Sequence, residues 1–206
     1  MQDQKHINFP TILTLIRLVL SPLVLPLLLV YLLPLKFFWL NCFLAFLFLL
    51  FSLTDFFDGY FARKYQQITK LGKLLDPIAD KALVYSTLIA LLAAHKIYFY
   101  WVILLIGREF FIMGLRLVAL EHAIAVPVSF FGKLKTMLQV LMLMVVIMNP
   151  YQGEGLHGTA GIWNMVEFAL TVLTTVVSLW SARRYYQSFI AIYSNPKDIE
   201  VTKEVE

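Results

Sequence analysis

A chain of 206 residues that is 60% hydrophobic and 15% charged, with a mean hydropathy of +0.77, lies outside the range of soluble domains, whose apolar share is about half. The composition excludes a water-soluble enzyme and predicts a protein that lives in a bilayer. The net charge of +4 gathers at helix ends, which suits anionic lipid headgroups and not nucleic acid, and the lone Cys42 excludes an intrachain disulfide.

Apolar stretches long enough to cross a hydrocarbon core of roughly 30 Å occur near 11–33, 37–62, 75–94, 98–120, 134–149 and 161–181. They predict an all-α integral membrane protein with six transmembrane helices in one domain over 1–194. The first stretch contains Arg17, Pro22 and Pro26, is long enough to span, and is followed by no small-residue cleavage site. It is expected to stay in the protein. Leu33-Pro34-Leu35 is a turn, and the basic segment from Lys64 to Lys73 is expected to lie along the membrane surface. A linker at 121–132 holds Pro127, and the turn-rich 149–155 loop has no basic residue. From Asn195 the tail is charged, and Pro196 argues against further helix, so disorder is expected over 195–206.

Lys5, Arg63, Lys64, Lys70, Lys73, Lys133, Lys135, Arg183, Arg184, Lys197 and Lys203 all fall at alternate helix ends, whereas the opposite ends have only Lys36 and Lys96. Basic residues mark the cytoplasmic side, so both termini are expected there.

That same side holds the chain's densest charge. Four of the six aspartates fall within 26 residues, in the pattern Asp55-x-x-Asp58-Gly59-x-x-Ala62-Arg63, eight residues, Gly72-x-x-x-Asp76-x-x-x-Asp80. On a helix at 100° per residue, Asp55, Asp58, Gly59 and Ala62 lie within about a 100° arc. Gly72, Asp76 and Asp80 lie within about 80° if the next helix already runs from Gly72; alternatively Asp76 is an N-cap with Pro77 in the first turn. Converging carboxylates near apolar surface repel one another and lose hydration, so they imply cations. Oxygen-only ligands favour Mg²⁺ or Mn²⁺ over Zn²⁺, and four carboxylates are enough for two ions suited to phosphoryl chemistry. Gly59 and Ala62 allow close approach of a ligand or helix, and Arg63 offers a fork for phosphate. The alternative role for these aspartates is helix capping and pairing with Arg63, Lys64 and Lys81.

From Asp55 to Asp80 the chain resembles, at every defined position, the signature of the CDP-alcohol phosphatidyltransferase family. The resemblance implies a six-helix membrane enzyme, usually a homodimer, that moves a substituted phosphate from a CDP-linked donor to an alcohol and releases CMP. It further implies that Asp55, Asp58, Asp76 and Asp80 hold two metal ions, that Asp80 is the general base, and that Gly59, Arg63, Thr69 and Gly72 contact the CDP moiety.

A second set of charges lies within the fourth and fifth stretches: Arg108-Glu109, Arg116, and Lys133-x-Lys135-Thr136-x-x-Gln139. Arginines inside a membrane need partners. Lys135, Thr136 and Gln139 share a helical face with Gly132, and Lys133 points elsewhere. Arg108, Arg116, Lys133 and Lys135 are therefore candidates to bind an acceptor that carries its own phosphate, for which choline, ethanolamine or serine has no need. The plainer roles are neutralisation of Arg108 by Glu109 and snorkelling of Lys133 to the headgroups.

The strings Asn8-Phe-Pro10-Thr-Ile-Leu-Thr-Leu-Ile-Arg17, Leu75-Asp-Pro-Ile-Ala-Asp-Lys81, Arg108-Glu-Phe and Gly132-Lys-Leu-Lys-Thr136 resemble a bacterial branch of the family. That likeness covers about 7–145 and implies CDP-diacylglycerol as donor, sn-glycerol 3-phosphate as acceptor, and a site facing the cytoplasm from the inner membrane. Inositol phosphate or phosphatidylglycerol are rival acceptors on the same fold. A cation transporter is the rival from another class, but its acids belong near the bilayer midplane on interrupted helices. Asn8 and Arg17 fit donor contact or helix capping equally. Glu167 suits an interhelical bond or a dimer contact, and the four histidines show no metal spacing.

Overall fold

The computed structural model describes the backbone at 22–64, 70–122, 130–151 and 158–194, and side chains at 22–53, 81–119, 121–122, 132–151 and 158–194. Among the described residues the chain is helical, with no strand: α1 over 22–32, α2 Phe38–Lys64, α3 Lys70–Ala93, α4 Phe99–Glu121, α5 Phe130–Met148 and α6 Gly158–Tyr193. Six helices therefore stand where six apolar stretches predict them. By length and composition α6 alone qualifies as a full span among the described residues, while Pro22–Leu35, Phe38–Leu53 and Lys81–Ala93 are shorter apolar stretches.

Two compact units make up the chain, Met1–Ile97 with Leu143–Asn164, and Tyr98–Met142 with Met165–Glu206. In the first, Leu25, Leu29 and Leu33 recur every fourth residue and are fully buried, as one face of a helix must be to form a core. Leu44, Ala45 and Phe48 of α2, Leu88, Ala90 and Leu91 of α3, and Leu143, Val146 and Ile147 of α5 supply the rest of that unit's interior. After α1 the expected turn is a short 3₁₀ segment, Leu33–Leu35, closed by Lys36 in the left-handed region with its N–H on the Leu33 carbonyl. Helix α3 stops in a Schellman arrangement: His95 has φ +56°, its N–H reaches the Leu92 carbonyl at 3.0 Å, and the Lys96 N–H reaches Leu91 at 2.7 Å. This fixes Lys96, which is buried and donates its Nζ to the Asn149 carbonyl at 2.5 Å. Asn149 in turn donates to Asn164 Oδ1 at 2.9 Å and accepts the Tyr151 N–H at 3.0 Å, so the end of α3, the α5 terminus and the start of α6 are clasped by one polar chain.

In the second unit, Val102, Leu105, Ile112 and Ala119 form the buried stripe of α4. The inward face of α6 consists of Thr171, Thr174, Thr175, Ser178, Ser181 and Ala182, small residues that let helices approach closely. Thr171 and Thr175 return their hydroxyls to their own helix, and Thr174 donates to the Leu138 carbonyl of α5 at 3.3 Å. Outward, Leu173, Val176, Leu179 and Trp180 are exposed, as are Trp39, Tyr31 and Met165 elsewhere, which is the surface expected against lipid. Aromatic residues cluster at helix starts, with Tyr98 stacked on Tyr100 in one unit and Phe38 edge-on to Trp163 in the other. Helix α6 continues well past the apolar stretch at 161–181, because Phe189 and Ile192 pack on Leu115 and Ala119 of α4 and give the polar end of the helix a core of its own.

Candidate functional site

Helix α2 runs unbroken through Lys64, and α3 begins at Lys70, before Gly72. Of the two geometries open for Asp76, the helical one is adopted: Pro77 lies seven residues into α3, so Asp76 is not its N-cap. A proline there has no N–H to close on the carbonyl of residue 73.

The aspartate pattern lies on the parts of α2 and α3 that belong to the first unit. Along α2, Asn41, Leu44, Ala45 and Phe48 form the buried stripe, and at about 100° per residue positions 55, 59 and 62 fall on its continuation, with 58 about 90° round from its centre. Along α3, Leu83, Thr87, Ala90 and Leu91 are buried, and positions 72, 76 and 80 lie within the same arc. Helices α2 and α3 pack against each other. The four acidic positions stand on helical backbone of two adjoining helices, and carboxylate oxygens are the donor type that suits a hard divalent cation. The side chains of Asp55, Asp58, Gly59, Arg63, Gly72, Asp76 and Asp80 lie outside the described residues, as do Thr69, Asn8, Arg17, His6, His157 and the tail at 195–206.

The second unit contains a buried charge cluster. Arg108 donates Nη1 to Glu109 Oε1 at 2.6 Å and Nε to the Ser178 carbonyl of α6 at 2.9 Å. Lys135 of α5 pairs with the same Glu109 oxygen. All three side chains are less than one-tenth exposed, so helices α4, α5 and α6 meet around one carboxylate. Gln139, one turn after Lys135, is also buried, and its Nε2 has no protein partner; the same is true of Ser178 Oγ.

The four candidate cations thus separate into two kinds. Arg108 and Lys135 are brought together, whereas Arg116 and Lys133 are exposed, Arg116 lying 5.7 Å over the Tyr185 ring. The outward placement of Lys133 matches its expected divergence from the Lys135 face. Thr136 sits at the edge of that face, exposed, with its hydroxyl on the Gly132 carbonyl at 3.2 Å. Glu109 acts as the hub of the cluster, a larger role than neutralising its sequence neighbour. The Ser178 carbonyl has no side-chain signal by which sequence reasoning finds it.

The helical frame, the acidic registers and the signature between Asp55 and Asp80 define a class. This chain belongs to the CDP-alcohol phosphatidyltransferase family, whose sequence model matches residues 7–180. It is similar to bacterial proteins named CDP-diacylglycerol--glycerol-3-phosphate 3-phosphatidyltransferase: that of Rickettsia typhi is 40% identical over 72% of this chain and 80% of its own length. The Rickettsia felis protein is 34% identical over 87% of this chain and 97% of its own, and the Salmonella choleraesuis protein 36% over 86% and 92%.

Proposed function

We propose that this protein transfers the phosphatidyl group of CDP-diacylglycerol to sn-glycerol 3-phosphate, giving phosphatidylglycerol phosphate and CMP. The observation that supports the site assignment is that α2 and α3, which pack against each other, are helical through the whole signature, so its steps of three and four recur on one side of each helix. Asp55, Asp58, Asp76 and Asp80 are the ligand set for two divalent ions, Mg²⁺ or Mn²⁺. Such ions, when bound, neutralise donor pyrophosphate charge and the charge that develops on CMP.

The chain's own groups do the rest. Asp80 accepts the proton of the acceptor hydroxyl. The oxygen so freed bonds to the phosphorus that carries the diacylglycerol, and the bond from that phosphorus to the CMP oxygen breaks. Gly59, Arg63, Thr69 and Gly72 hold the CDP moiety. Arg108 and Lys135 form the inner part of the acceptor-phosphate site, with Arg116 and Lys133 at its rim. The six helices cross the inner membrane of a bacterium with the acidic motif toward the cytoplasm, and the protein works as a homodimer.

The test is CMP release by purified protein with CDP-diacylglycerol and Mg²⁺, comparing sn-glycerol 3-phosphate, inositol phosphate, serine and phosphatidylglycerol as acceptors. Release with glycerol phosphate alone is expected. Turnover with a different acceptor overturns the specificity, and no release with any acceptor overturns the enzyme assignment.

A further inference from the structure

We infer that Glu109 is the positioning residue of the acceptor site, holding Arg108 and Lys135 at the spacing a phosphate monoester requires. The inference rests on the acceptor-site reading above and adds to it a residue that touches no substrate.

Two buried cations on neighbouring helices repel each other where water does not screen them. In this unit one carboxylate oxygen, Glu109 Oε1, accepts from both the Arg108 guanidinium and the Lys135 ammonium. The carboxylate offsets their repulsion and brings both donors to a common atom. Arg108 is fixed a second time, through Nε, on the Ser178 carbonyl. A planar guanidinium held at two points on two helices is oriented before any ligand arrives, and such preorganisation is what makes a fork selective for phosphate.

A purely mechanical brace between three helices would account for the ion pairs, but two other atoms argue against it. Buried polar groups in a closed structural network are almost always satisfied. Here Gln139 Nε2, one turn from Lys135, and Ser178 Oγ, on the residue whose carbonyl takes Arg108, are both buried without a protein partner. They are neutral donors in the same neighbourhood, of the kind a small polar ligand satisfies.

The experiment is steady-state kinetics on the full chain for Glu109→Gln, Glu109→Asp, Lys135→Met and the Glu109→Gln/Lys135→Met double variant, with the KM for glycerol 3-phosphate, the KM for CDP-diacylglycerol and thermal midpoints measured on each. Glu109→Gln is expected to raise the acceptor KM about tenfold or more, the usual scale for losing a group that orients a ligand's direct partner, with the donor KM within about twofold. Glu109→Asp keeps the charge but withdraws it by one methylene, and is expected to give a smaller rise of about threefold. The double variant is expected to be no worse than Lys135→Met within about threefold, since both changes break one unit. Parallel rises in both KM values, or an unchanged acceptor KM in the aspartate variant, overturn the inference. If Lys135→Met raises the acceptor KM while both Glu109 variants leave it alone, only this inference fails. If Lys135→Met also leaves it alone, the acceptor-site reading fails with it.

Discussion

Replacing Lys135 by methionine removes one charge from the buried cluster while keeping the length of the side chain. Glu109 is not left alone, because Arg108 still donates to it at 2.6 Å. The stability loss is therefore that of one charge-assisted hydrogen bond, about 1.5–3 kcal/mol, and not the roughly 3–5 kcal/mol that follows when a buried charge is left unpaired. At about 2–4 °C per kcal/mol for a chain of this size, the thermal midpoint should fall by about 3–12 °C. If the same ammonium also donates to the acceptor phosphate, an equal free energy is lost there, and the KM for glycerol 3-phosphate should rise roughly 10- to 150-fold. Lys133, two residues earlier but exposed, is the internal comparison: Lys133→Met should move the midpoint by under about 0.5 kcal/mol equivalent. Its acceptor KM should change by less than about threefold. Initial rates of CMP release across a glycerol phosphate titration at saturating donor measure both. A Lys133 effect as large as that of Lys135 would refute the division of the cations into an inner pair and a rim.

Asp80→Asn should lower CMP release by at least about 10²-fold while the thermal midpoint holds, because it removes the base and one metal ligand; normal turnover would exclude both roles. Arg63→Met should raise the KM for CDP-diacylglycerol by about tenfold or more and leave that for glycerol phosphate alone, read from paired titrations. Lys96→Met breaks the bond to the Asn149 carbonyl and should destabilise by about 1.5–3 kcal/mol. Its turnover at low temperature should stay near wild type, because α3 runs thirteen residues beyond Asp80, about 20 Å of helix rise, before the cap that fixes Lys96. A selective loss of kcat with an unchanged midpoint would contradict that separation.

The helices were legible because each follows a long, predominantly apolar stretch that a few charges do not hide. The aspartate pattern was legible because steps of three and four have one meaning on a helix, and the described backbone keeps α2 and α3 helical through all four positions. The start of α3 was not, because Pro77 is equally at home in a first turn; the helix instead tolerates it and begins at Lys70. The end of α6 near Pro196 was legible from that proline, but what holds its last turns was not. Hydropathy measures the part of a helix that prefers hydrocarbon, whereas residues 182–193 are held by contacts of Phe189 and Ile192 with another helix. The Lys96–Asn149–Asn164 clasp and the sharing of Glu109 by Lys135 both join residues far apart in sequence, and no local pattern encodes such a meeting.

Helix α6 has threonine and serine inside and leucine, valine and tryptophan outside, which inverts the rule by which substitutions are usually graded. On the outer side of this helix the hydrophobic positions are the permissive ones: Leu173, Val176 and Leu179 should accept one another's side chains freely, since lipid fits any apolar shape, whereas Phe189 keeps its core role. Thr174 and Ser178 should not accept leucine, because their task is to keep two helices close. A redesign that scored each position by its hydrophobicity would thus enrich the surface that needs no help and wedge apart the seam that does, so libraries for this scaffold are best drawn by side-chain volume on the inner face and by charge alone on the outer.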